Sequence, residues 1–256
     1  MSHLRFVQYA DEGDVARITL DRPPLNILTI EMLEELNAAL DRAARRPALK
    51  ALVLAGQGKA FSAGVAVEDH LGDRVRPMLD EFHGVFLRLR ALDCVTVAQV
   101  QGAALGGGAE LATFCDLVLA SEAATFGQPE IKVGVFPPIA ALHYPLRVGA
   151  ARALRLLLSG EIVSAAEAER IGLVDRVVSA DRLAETVEAE LGRLRAASAI
   201  VLRLTKRAVR DSLGRPFDEG LGMLEELYHH ELMTTADAEE GLRAFVEKRK
   251  PVWKDR

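Results

Sequence analysis

Short runs of β-branched and aliphatic residues alternate with helical patterns through the first half of the chain. Val15 to Leu20, Ala51 to Ala55, Val95 to Val100 and Leu117 to Ala120 each read as strands, and helical stretches between them give the rhythm of parallel βα units. Met78, Leu79, Phe82, Val85, Phe86, Leu89 and Leu92 recur at helical spacing, a stripe able to cover a sheet face, and Pro77 suits that helix's first turn. From about residue 140 the pattern becomes almost wholly helical. Ser164 and Glu167 have capping-box spacing, Gly172 is placed to end the short helix between, and Asp181 opens a helix carrying Leu183, Val187, Leu191 and Leu194. Further helices are expected over 198–213, 217–234 and 237–249. Tyr228, Phe245, Val252 and Trp253 are among the larger apolar groups there; the pattern leaves open whether they pack within the chain or on another subunit.

The chain has 256 residues, half of them hydrophobic, enough for one large domain with a sizeable core. Its 37 acidic and 32 basic residues give a net charge of -5, and no like-charge block offers a phosphate-tracking stripe, which argues against nucleic acid. The first residues lack a targeting pattern, and no stretch approaches the roughly 18 uninterrupted apolar residues of a membrane span. A cytoplasmic protein without a membrane partner is expected. Cys94 and Cys115 are too few for a zinc ribbon or disulfide framework and are expected only to pack. His229, His230 and Glu231 are adjacent, point in different directions on a helix and do not easily converge on a metal, so none is expected.

Two loops carry candidate chemistry. Residues 101–110, QGAALGGGAE, follow the strand ending at Val100 and precede an apolar helix expected to begin near Leu111. The glycines permit close approach and leave free amides at a helix N-terminus, where negative charge is favoured. They match neither the dinucleotide fingerprint nor the P-loop, and tight strand–helix packing explains a glycine run equally well. Residues 59–65, KAFSAGV, also follow a strand, past Gly56 and Gly58. Two such loops beyond neighbouring strands can converge on one oxygen as an oxyanion hole. Glu110 and Glu130, 20 residues apart, border small or apolar residues. Burial beside another carboxylate raises a pKa and lets one group hold a proton while the other accepts one, a pair suited to handling water. No G-x-S-x-G elbow or nucleophile with its base is evident.

These residues resemble the enoyl-CoA hydratase/isomerase (crotonase) superfamily. The segments 59–64 (KAFSAG), 102–111 (GAALGGGAEL), 115–116 (CD), 126–130 (FGQPE), 164–174 (SAAEAERIGLV) and 241–250 (GLRAFVEKRK) fall in the family's order and spacing, nearly end to end. The resemblance implies an α/β fold: a crotonase-like ββα spiral core over 1–195 and a helical trimerisation region over 196–256, assembled as a homotrimer or dimer of trimers. It implies that the amides of Val65 and Gly107 hold the thioester oxygen and that Glu110 and Glu130 are the two catalytic acids of a hydratase. Ala63 would approach the CoA adenine, and Phe245 with Lys248 would contact CoA from a neighbouring subunit. No cofactor is implied beyond the coenzyme A carried by the acyl-CoA substrate.

The chain departs from straight-chain hydratases at 65–70 (VAVEDH) and at 135–140 (VFPPIA), where many members have a glycine-rich run. With 225–233 (EELYHHELM), these departures look like cyclohexa-1,5-diene-1-carbonyl-CoA hydratases of anaerobic aromatic degradation. Phe136, Pro137 and Pro138 would then shape a slot for a flat ring. A general enoyl-CoA hydratase for linear or branched chains is the alternative enzyme. A scaffold of this fold binding RNA or protein without turnover belongs to another class, and the acidic balance and retained glutamates argue against it. His83 is expected to be a hydrogen-bonded core residue; His143 and Tyr144 either line the pocket or simply pack; Asp69 and His70 lie in a site loop or a solvated turn.

Overall fold

The computed structural model describes residues 4–255. In chain order its elements are β1 (Val7–Glu12), β2 (Val15–Leu20), α1 (Ile30–Ala44), β3 (Ala51–Gly56), β4 (Ala60–Ser62), α2 (Val75–Ala91), β5 (Val95–Val100), β6 (Ala103–Leu105), α3 (Gly107–Thr113), β7 (Leu117–Ser121) and β8 (Thr125–Gly127). There follow α4 (Pro138–Val148), α5 (Ala150–Ser159), β9 (Ile162–Ser164), α6 (Ala165–Arg170), β10 (Arg176–Val178), α7 (Leu183–Arg195), α8 (Ala199–Ser212), α9 (Phe217–Glu226) and α10 (Ala236–Val246).

Three long strands each turn a corner into a short one: β3 into β4, β5 into β6, β7 into β8. The long strands join a six-stranded sheet of order β1-β2-β3-β5-β7-β10, parallel except for the β1–β2 hairpin. Their short continuations form a second sheet, β4-β6-β8-β9, in which only β9 runs antiparallel. This is the expected ββα spiral. The corners need glycine because the two sheets press together there: a methyl group on Gly102 would lie 1.9 Å from the Lys59 carbonyl oxygen.

The strands read from the sequence stand where expected, with β3 and β7 one residue longer. The nearly all-helical reading beyond residue 140 is corrected by β9 and β10, which are three residues each, as are β4, β6 and β8. Three residues are too few for an alternating pattern to declare itself. The apolar stripe of α2 buries Met78, Phe82, Val85, Phe86 and Leu89 in the main core, and Leu183, Val187 and Leu191 of α7 cover the opposite face of the large sheet. Each such side chain contributes roughly 1.5–3 kcal/mol by leaving water. Ser164 caps α6 by accepting from Glu167 N at 3.2 Å, but only half the capping box forms, because the Glu167 carboxylate binds Arg170 instead. Gly172, at φ 83°, ends the turn after that helix.

The C-terminal helices are tied to the core by buried polar groups. Lys50 Nζ donates to the carbonyls of Arg195 and Ala197, and Lys206 Nζ donates to Cys94 O at 2.8 Å and pairs with Asp116 at 2.7 Å. Trp253 packs within the chain, its indole donating to Ala196 O at 2.7 Å and its ring lying against Gly241. Tyr228, Phe245 and Val252 remain exposed, so the group left open in the sequence divides. Cys94 and Cys115 are free, and burial pushes their thiols up to about 11 and about 12, which leaves them unreactive packing residues. Among the described residues no helix is long and apolar enough to cross a membrane.

Candidate active site

The loop at 63–65 is held from below by Asn26, a fully buried residue whose side-chain amide donates to the carbonyls of Gln57, Ala60 and Phe61. Ser62 Oγ donates to Asn26 O at 2.8 Å and accepts from Gly64 N at 3.2 Å. A single parallel bridge then fixes the direction of the next amide. Leu28 N donates to Gly64 O and Ala66 N to Leu28 O, both at 2.9 Å, so the Val65 N–H between them points away from that partner.

The second loop corrects the sequence reading by four residues: α3 begins at Gly107, not near Leu111. Gly106 precedes it at φ 52°, a conformation that favours glycine, and the first amides of the helix have no acceptor within it. Each glycine of the run has its own task. A methyl on Gly108 would strike Ser62 O at 2.2 Å, which is strand–helix packing, whereas one on Gly107 would meet Val65 Cγ2 at 2.8 Å and one on Gly106 would meet Glu130 Oε1 at 2.6 Å. A methyl on Gly64 would lie 3.6 Å from Gly107 N. The two loops therefore meet, with Glu130 against them.

Because α3 starts early, Glu110 falls in its first turn, where it is 2% exposed. Its Oε1 accepts from Ala140 N at 2.7 Å in the first turn of α4. Pro138, at the first position of α4, lacks an N–H that would have no intrahelical partner in any case, so 137–140 form a working helix N-terminus under the carboxylate. Burial, reinforced by the Glu130 charge, still raises Glu110 to about 8 against the Ala140 and Ile139 amides. Glu130 sits in a 3-10 turn after β8, and burial raises it to about 7. Both carboxyl groups thus hold or release a proton near neutrality, beside two loops rich in main-chain N–H.

Of the other residues singled out, Ala63 is half-buried beside the same loop, its N–H donating to Leu25 O at 2.9 Å. Pro137 is buried just before α4, whereas Phe136 is 69% exposed and closes no slot within one chain. Phe245, 85% exposed, and Lys248 face solvent at the end of α10. His83 is half-buried, and the expected hydrogen bond is absent: its Nε2 has no partner among the described residues, and burial holds it below the ordinary histidine value. Asp69 is not in a solvated turn: it is buried, accepting from Ile30 N at the start of α1 and from Arg74 Nε. His70 turns its Nδ1 to Ala66 O. His143 turns to the Thr113 carbonyl at 2.9 Å, and Tyr144 is buried with its hydroxyl 2.8 Å from the Gln128 amide. His230 pairs with Glu226, and Glu231 with Arg207.

Sequence reasoning missed Asn26, Gln128 and Ala140. An asparagine, a glutamine and an alanine have no chemistry that marks them as partners of a carboxylate or a loop until the fold seats them there. An open groove of about 770 Å³ lined by Leu221, Leu224, Glu225, Tyr228 and His229 lies on α9 and the π-helical turn that follows it; neither Glu110 nor Glu130 lines it.

Residues 10–256 match the model of the family described as enoyl-CoA hydratase/isomerase. The chain is 42% identical over 248 residues to a protein of Rhizobium meliloti (strain 1021) named a probable enoyl-CoA hydratase, covering 96% of each. It is 39% identical over 249 residues to the cyclohexa-1,5-dienecarbonyl-CoA hydratase of Thauera aromatica, covering 96% of this chain and 95% of that one. Among solved structures, an enoyl-CoA hydratase subunit from Geobacillus kaustophilus HTA426 superposes over 100% of both chains with a TM-score of 0.92 at 37% identity.

Proposed function

The chain belongs to the enoyl-CoA hydratase/isomerase family and is a hydro-lyase of the enoyl-CoA hydratase type; from that premise we propose which residues perform the hydration and on which acyl group. The supporting observation is the pair of carboxyls, Glu110 buried and Glu130 half-buried, raised to about 8 and about 7, at the meeting point of two loops that present free amides. In this reading the N–H groups of Val65 and Gly107 hold the thioester oxygen. A water oxygen bonds to the β-carbon while its proton passes to one carboxylate of the Glu110–Glu130 pair, and the double-bond electrons move onto the held oxygen as an enolate. The enolate collapses as carbon takes a proton from the pair. Losing one oxyanion donor typically costs about 2.7–4 kcal/mol of barrier. No cofactor enters beyond the coenzyme A of the substrate.

For the acyl group we favour cyclohexa-1,5-diene-1-carbonyl-CoA. The Thauera aromatica relative carries that substrate in its name, and Pro137 and Pro138 add rigid bulk where the family resemblance implies a glycine-rich run. Hydroxyl would add to the ring carbon β to the thioester, giving a dienolate protonated at the far end of the diene. Ala63 would approach the CoA adenine and Phe136 one edge of the ring, with Phe245 and Lys248 supplied by a neighbouring subunit. The Rhizobium relative favours the second reading, a general enoyl-CoA hydratase. Purified protein assayed side by side should give a higher kcat/KM for the cyclic dienoyl-CoA than for crotonyl-CoA; the reverse order by a wide margin selects the general enzyme.

A further inference from the structure

Tyr144 is a tyrosine buried to 1% exposure on the inner face of α4, and its hydroxyl reaches one end of the Gln128 amide at 2.8 Å. The other end of that amide lies 3.2 Å from both Glu130 oxygens. The orientation that satisfies both neighbours has the Gln128 oxygen accepting from the tyrosine and its NH2 donating to the carboxylate. Gln128 is itself 1% exposed, out of contact with bulk solvent. A glutamine alone can turn about its last torsion and present either end to Glu130. A tyrosine hydroxyl on its far side selects one end, since burial holds the phenol above its ordinary value and keeps it a donor.

We propose that Tyr144 is a positioning residue for the hydration: through Gln128 it holds the Glu130 carboxylate in one orientation against the Gly106 turn. The inference rests on the role given to Glu130 above. Gly106 also lies against the carboxylate, where even a methyl group would meet Oε1 at 2.6 Å. The carboxylate therefore touches both a main-chain turn and an amide whose direction another helix dictates. Among the described residues the titratable groups facing Glu130 are Glu110 from α3 and Tyr144 from α4. His143, next to Tyr144, is turned toward Thr113 O and carries no part of this chain of bonds.

The physical consequence is directional. An amide donating to Glu130 favours its ionised form, so an amide free to turn lets the proton affinity of that group rise. Tyr144→Phe keeps the ring and removes only the hydroxyl. It should lower kcat by roughly threefold to tenfold, the scale of one hydrogen bond, with KM changed less than about twofold, and move the acidic limb of the kcat profile to higher pH. Gln128→Leu should move the same limb in the same direction. The double variant should be no worse than Gln128→Leu alone, because both act on one bond chain. Should Tyr144→Phe fail to fold, Gln128→Leu beside wild type still reads the limb. A limb that stays in place in every folded variant, or additive losses in the double variant, overturns the proposal. Glu130→Gln separates the two levels of inference: if it retains full activity, the role of Glu130 itself is wrong, whereas an inactive Glu130→Gln with an unmoved limb in Tyr144→Phe removes only the tyrosine.

Discussion

Glu110 and Glu130 differ from ordinary surface glutamates only in where the fold puts them. Each is raised from 4.5, to about 8 and about 7, chiefly by burial. Replacing either by glutamine should lower kcat by roughly 10²–10⁴, the usual worth of general acid–base catalysis. The same shifts set the pH dependence of stability. A carboxyl whose folded pKa is raised binds more proton folded than unfolded between about 4.5 and 8, so its contribution falls as pH rises through that window and levels off above it. Glu110→Gln, which cannot ionise, should match wild type in thermal unfolding near pH 5 and exceed it near pH 9. An equal offset at both pH values would show that Glu110 titrates normally. At this scale the two acids were legible because glutamate carries its chemistry in its name; Asn26, Gln128 and Ala140 were not, because an amide or a main-chain N–H matters only through its neighbour.

Elements decide where those residues point. The four-residue difference between a helix starting at Gly107 and one starting near Leu111 moves Glu110 from a loop into a first turn, aimed at the N-terminus of α4. The 137–140 segment, read from sequence only as bulk shaping an acyl pocket, is also that N-terminus. Helix ends remote from the site should affect stability alone. Ser164 accepts from Glu167 N at the start of α6. Its replacement by alanine should cost about 1 kcal/mol, lowering Tm by roughly 2–4 °C with kcat and KM unchanged. A fall in activity at fixed stability would tie α6 to the site. The long strands and the stripe of α2 were legible through their period, whereas three-residue strands have none.

Over the whole molecule, large apolar side chains remain in solvent on several elements, among them Leu142, Leu146, Leu154 and Leu158 on α4 and α5, Phe217 on α9, and Phe245 and Val246 on α10, the last three 80%, 85% and 78% exposed. Monomeric proteins rarely leave so many large apolar side chains this exposed without a partner surface to cover them. The trimer or dimer of trimers implied by the family resemblance would cover it. Light scattering on the purified chain should give three or six copies, and Phe245→Ala should raise KM for CoA thioesters more than it lowers kcat. A monomer at micromolar concentration would leave Phe245 and Lys248 without a role in binding.

The sequence by itself determined the long strands and helices, through patterns long enough to repeat, and the family, whose resemblance carried the spiral class; it marked Glu110, Glu130 and the two loops as candidates by residue type. Only the tertiary structure decided that Glu130 rests against Gly106, that an alanine amide serves Glu110, and that a tyrosine and a glutamine stand behind Glu130. Apart from the Gln128–Glu130 contact, two positions apart, those relations join residues 16 to 30 positions apart through directed hydrogen bonds and contacts a few ångströms long, and direction at that range is a property of packed elements rather than of any stretch of chain.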